Sequence, residues 1–317
     1  MRHTIGVSGS TIYSAPEKLA ELYKYAVDHI EIGEFGYESV VETFMSLQRQ
    51  SGRSFAIHSP LLRRNSKYDL LETVYIDTVL AWEQFEADIA WVQEHGGAYI
   101  LVHFPYFHDE SSEITNERIE AGLQKLSALQ NRYGVRIVCE PKLGRNRSPV
   151  GIHALDRFPV ERWAQYGISL CIDIGDYLIG CDDVIAMIEK WQDHILVVHL
   201  HNVVLQPEHY IWIPIHPSHE NDGIHYPIEA ILRHLAAGKA RYFILEHTPE
   251  FLALEQNTAT QAHAHHPEFL ALEQNTDNQA HKHTPEFLAL EQNTDTFDPD
   301  RFVSEGLEWL RAILEES

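Results

Sequence analysis

The chain has 317 residues, 44% of them hydrophobic, which suits one large domain or two small ones with a substantial core. Acidic residues outnumber basic ones 47 to 24, a formal charge of −23 that argues against nucleic acid, because phosphate contacts dominate such affinity. No apolar run reaches the ~20 residues of a membrane span, the N-terminal MRHTIGVSGST lacks the apolar core of a signal peptide, and Cys139, Cys171 and Cys181 show no metal-type pair spacing, so a cytoplasmic protein with reduced thiols is expected.

Eight short β-prone runs follow one another along the chain, at 3–8 (HTIGVS), 29–33 (HIEIG), 54–58 (SFAIH), 98–103 (AYILVH), 135–140 (VRIVCE), 168–173 (ISLCID), 195–199 (ILVVH) and 242–246 (YFILE). Most are separated by stretches with helical periodicity, at 16–27, 38–50, 69–96, 116–134, 182–192 and 227–238. Gly96, Gly134 and Gly238 stand where left-handed caps are expected to end three of them. Strands alternating with helices imply a parallel sheet, and eight such units suggest a closed (β/α)8 TIM barrel. A doubly wound open sheet is the alternative, but the run GVSGS at 6–10 imitates its phosphate loop only weakly.

Behind the eighth strand lies a tandem repeat. PEFLALEQNT occurs at 249–258, 267–276 and 285–294, with a period of 18 residues. A short helical insertion between strand 8 and the last helix is expected over 247–296, leaving 1–246 and 297–317 as the barrel. Thr248-Pro249-Glu250 is a helix-start signal, and Pro267 and Pro285 rule out one continuous helix. Helices this short are marginal alone. The copies must therefore pack on each other, on the barrel or on another subunit, which makes them either a tolerated duplication or a contact for a homo-oligomer. Deleting one unit in phase is expected to preserve the fold.

The strand ends carry the chemistry. His58, His103, Glu140, Asp173, His199 and Glu246 each close a predicted strand, and a barrel gathers strand ends at one mouth. So many ionisable groups in one cavity would be costly without a cation. The donor set suits a divalent metal ion: Mn²⁺, Mg²⁺ or Co²⁺, and Zn²⁺ where more histidines join. His201 shares the parity of His199. Lys142 and Arg145 lie past strand five, where they either face an anionic substrate group or form a solvated loop. Glu31 and Glu34 are read as following strand two, as mouth residues or as surface charges. The apolar loop around Trp212 is either a pocket wall or a partner contact, whereas Trp82, Trp91 and Trp163 read as packing residues.

The order VCEP, CIDIGD, VVHLHN and ILEH resembles the xylose isomerase-like TIM barrel superfamily, which includes sugar phosphate isomerases and epimerases and the AP endonucleases of the same fold. The resemblance implies one divalent metal held by Glu140, Asp173, His199 and Glu246, with Glu140 and Glu246 doubling as catalytic acid and base through an enediolate. It implies a small carbohydrate substrate. The endonuclease branch adds histidines at the places of His58 and His103 and a loop resembling His219–Asn221. Asp176 and Pro217 depart from that branch, which has a histidine and an aspartate there. A metal-dependent phosphoesterase is therefore the first alternative, and a non-catalytic barrel using its repeats as an interaction module the second. His58, His103, Asp176, His201 and His219 are thus expected to hold a second metal or the substrate.

Overall fold

The computed structural model describes residues 3–110, 114–205, 210–252 and 297–317. Eight parallel strands close into a barrel: β1 (Thr4–Ser8), β2 (His29–Ile32), β3 (Ser54–His58), β4 (Ile100–His103), β5 (Ile137–Glu140), β6 (Ser169–Asp173), β7 (Ile195–Leu200) and β10 (Tyr242–Leu245). Their order around the barrel is β1-β10-β7-β6-β5-β4-β3-β2, so every strand has two neighbours and no edge remains. Between β7 and β10 the chain makes a separate antiparallel pair, β8 (Asn202–Leu205) and β9 (Tyr210–Ile213). The expected (β/α)8 fold is what the chain adopts. The repeat expected at 247–296 lies outside the described residues from 253 onward.

Strict alternation along each strand decides which side chains face inward. Ala56, Leu101, Val138, Cys171, Val197 and Ile244 fill the barrel interior below the mouth, together with Tyr99 and Tyr242. Two residues further along the same faces come His58, His103, Glu140, Asp173, His199 and Glu246. The opposite faces pack against the helices in one continuous core that includes Phe44, Phe104, Trp163 and Trp191. Trp163 is fully buried there, and Trp82 and Trp91 pack partly buried against it.

The helical shell departs from the sequence reading at three places. The stretch 16–27 forms a 3-10 helix over Pro16–Tyr23 rather than an α-helix. The stretch expected to be helical from residue 69 begins its helix, α2 (Thr78–His95), only where Asp77 caps it through Val79 N. Asp69 instead accepts three successive backbone N–H groups, of Val74, Tyr75 and Ile76, which stabilises a loop in place of helix. Gly96 and Gly134 end their helices with φ of 72° and 64°, as left-handed caps should. Gly238 does not, since its φ is −86° and its N–H returns to Leu235 O.

Asp88 of α2 anchors the loop that follows His58. Its Oδ2 accepts Ser59 Oγ at 3.0 Å and Leu61 N at 2.9 Å. Burial pushes its pKa from 3.8 up to about 6 despite those bonds. A carboxyl that protonates more readily in the folded state stabilises below its unfolded pKa, and the gain is lost as pH rises through about 6. Asp88→Asn keeps an acceptor oxygen and carries no charge. We expect the variant to gain up to ~3 kcal/mol on the wild type as pH is raised from about 4 to about 7. Urea unfolding at the two pH values checks this, and a pH-independent difference would refute it.

Candidate active site at the barrel mouth

The inward parity of four strands brings Glu140, Asp173, His199 and Glu246 together, with ligand atoms all within 4.8 Å of one another. His58, His103 and Glu140 form an adjoining group by the same measure, as do Glu31, His58, His199 and Glu246. His199 lies at the centre. Its Nδ1 is 3.1 Å from Glu140 Oε1 and 2.5 Å from Glu246 Oε2, and its Nε2 is 2.8 Å from Glu31 Oε1. His58 Nε2 and His103 Nε2 are 2.9 Å apart, and the latter is 3.1 Å from Glu140 Oε2.

Lys142 closes the group from above. Its Nζ is 2.6 Å from Asp176 Oδ2, 2.7 Å from Asp173 Oδ2 and 3.2 Å from Glu140 Oε1. Lys142, read in the sequence as facing either a substrate anion or a solvated loop, is thus engaged with three carboxylates of the protein itself. His201 Nε2–H donates to Asp173 Oδ1 at 2.8 Å, and the ring stacks on Trp212 at 4.6 Å between ring centroids. Gly175 leaves room for that imidazole, since a Cβ there would lie 1.9 Å from His201 Cε1.

Burial and charge work against each other throughout. Burial opposes ionisation of Glu140, and Lys142 with His199 overcomes it and holds the pKa well below the usual carboxylate value. Asp173 behaves likewise beside Lys142 and His201. Asp176 is the loser in this competition. Burial first, and Asp173 second, push it up to about 7 although Lys142 touches it. Burial lowers the His103 pKa to about 3, so it stays neutral and keeps a lone pair.

The residues fit a divalent cation. Glu140 Oε2 and Glu246 Oε2 are buried without a hydrogen-bond partner among the described residues, although His103 Nε2 lies 3.1 Å from the first and His199 Nδ1 2.5 Å from the second. Carboxylate oxygens in this state are paired with a cation or pay a large desolvation cost. Three carboxylates and one imidazole make a donor set for Mn²⁺, Mg²⁺, Co²⁺ or Zn²⁺.

Above the group opens a cavity of about 440 Å³. Tyr13, Tyr68 and Trp212 supply aromatic walls, Arg63, Lys67 and Lys142 supply cations, and His58, His103 and Glu246 reach it from below. Trp212 therefore serves as a pocket wall, the first of the two readings of its loop. Arg145 is exposed and does not line the cavity. His219 is buried away from it, 4.1 Å from the ring of His225 and 5.8 Å from that of Phe302. Glu31 is fully buried within β2, not past its end, and touches His199 and His58.

A family model described as xylose isomerase-like TIM barrel matches residues 20–270. The chain belongs to that family. Among solved structures, an L-ribulose 3-epimerase superposes with a TM-score of 0.61 at 18% identity, covering 100% of this chain and 95% of its own. The D-allulose 3-epimerase from Methylomonas sp., solved with D-allulose, gives 0.58 at 13%, covering 98% and 97%. The 3-keto-D-glucoside 4-epimerase YcjR from E. coli gives 0.57 at 14%, covering 98% and 100%. At such identities the likeness is one of fold. Curated proteins gave no match. Among the described residues no helix is long and apolar enough to cross a membrane.

Proposed function

We propose that the protein is a divalent-metal-dependent isomerase or epimerase of a sugar or sugar phosphate. The observation that carries this reading is the pairing of Glu140 and Glu246 across His199, with Asp173 completing a four-residue set beneath an aromatic-walled cavity. Epimerases of three different sugars share the fold, which supports the same substrate class here. A cation held by Glu140, Asp173, His199 and Glu246 would draw charge from a substrate carbonyl and make the neighbouring C–H acidic.

Glu246 borders the cavity directly and takes the role of base toward that C–H. Ser8 Oγ, 3.4 Å from its Oε1, orients it. Glu140 is wholly buried behind Lys142 and ionised at rest; it takes a proton from the Lys142 ammonium, 3.2 Å from its Oε1, and returns it to the substrate on the other face. Tyr13, Tyr68 and Trp212 receive the apolar faces of the sugar, and Arg63 stands ready for a phosphate or carboxylate. The three free cysteines are in keeping with a cytoplasmic setting.

The test is exchange of substrate carbon-bound hydrogen in heavy water. Protein loaded with manganese or cobalt is incubated with ketopentoses, ketohexoses and their phosphates, and proton NMR follows the C–H next to the carbonyl. Metal-dependent exchange with at least one sugar is expected. Metal-loaded, folded protein that exchanges none of them would overturn the proposal.

A further inference from the structure

Strand β2 contributes a carboxylate that the proposed chemistry leaves without a task. Glu31 is fully buried and shares its inward face with His29. Its Oε1 is 2.8 Å from His199 Nε2 and 3.4 Å from His58 Nδ1. Its Oε2 accepts the hydroxyl of Tyr99, itself fully buried, at 2.6 Å. The opposite nitrogen of His199 faces Glu140 and Glu246. The imidazole is therefore strung between Glu31 on one side and two carboxylates of the cation set on the other.

A neutral imidazole has one lone pair and one N–H. If Nδ1 is to face a cation, Nε2 must carry the hydrogen, and a buried carboxylate accepting it fixes both tautomer and ring plane. We propose that Glu31 is the positioning residue of the metal site, holding His199 by Nε2–H so that Nδ1 is left free for the ion. This inference rests on the metal reading above. Tyr99 completes the chain Tyr99–Glu31–His199 and commits the second carboxylate oxygen. That commitment distinguishes Glu31 from Glu140 and Glu246, each of which keeps a buried oxygen without a hydrogen-bond partner. The sequence carried the signal: in HIEI, the glutamate lies between two isoleucines in a strand whose four residues are all buried.

The full-length protein, stripped with a chelator, is titrated with Co²⁺ by calorimetry and visible absorption, alongside Glu31→Gln, Glu31→Ala and Tyr99→Phe. Loss of such an outer partner weakens metal binding ~10–100-fold, and we expect that for Glu31→Ala with unchanged stoichiometry. Glu31→Gln, which keeps an acceptor oxygen, should lose less, and the cobalt absorption bands should shift in both. Tyr99→Phe and Glu31→Gln preserve shape and carry the same test should Glu31→Ala fail to fold. Variants that bind as the wild type does, with the same spectrum, would overturn the role of Glu31. A stoichiometry lower by one ion would also overturn it, by making Glu31 a ligand. A wild type that takes up no cobalt would instead sink the metal reading itself.

Discussion

Glu246→Gln should lose its bound metal and its activity together, with turnover falling by at least ~10²-fold. The carboxamide has nearly the shape of the carboxylate and still offers Ser8 Oγ an acceptor, so the fold should be kept. It lacks the charge. Among the described residues Glu246 Oε2 is buried with no hydrogen-bond partner, which only a charged oxygen facing a cation tolerates well. It also lacks the base that borders the cavity. Metal content by elemental analysis and the heavy-water exchange assay are read on the same sample, beside thermal unfolding as a control. Undiminished exchange in a folded variant would remove Glu246 from the chemistry. Exchange lost with metal retained would keep it as base and drop it as ligand.

The barrel was legible because parallel strands covered on both faces read as unbroken apolar runs, as ILVVH and YFILE do. Strand ends were legible for a different reason, since six of the eight runs stop on a His, Asp or Glu that the inward parity then aims at the mouth. Residues whose role depends on packing between distant segments were not legible. Lys142 read as a loop cation open to a substrate, and nothing local says that Asp173 and Asp176 lie within 2.7 Å of its ammonium. His219 matched a loop motif, yet Phe302 of the last helix and His225 hold it away from the cavity. Glu31 read as a mouth residue or a surface charge, because a carboxylate buried inside a short apolar run contradicts ordinary preferences and only its partners explain it. The loop at Asp69 kept helical periodicity in its sequence, but a side chain that accepts three backbone N–H groups outcompetes the helix.

Trp163→Ala should cost about 3–5 kcal/mol of folding stability, a large share of the ~5–15 kcal/mol typical of a domain. The indole is fully buried where the helical shell meets β6. Its ring packs edge-on against Trp191 at 5.7 Å and Phe158 at 6.1 Å, and tilted against Phe104 at 6.3 Å. These neighbours are themselves large, and they cannot all collapse into the space an alanine would leave. Its Nε1 donates to Ile168 O at 2.9 Å, so truncation also strips a buried carbonyl of its donor. Ile168 immediately precedes β6, the strand that ends in Asp173. The same substitution should therefore loosen the support of one metal-site carboxylate, and metal affinity should fall with stability. Trp163→Phe keeps one ring in the core and gives up the N–H with the rest of the pyrrole ring, so it should cost less, about 1–2 kcal/mol. Urea unfolding of the wild type and both variants measures the difference. A Trp163→Ala protein within about 1 kcal/mol of the wild type would show that this corner of the shell repacks freely, contrary to the close packing on which large core truncations depend.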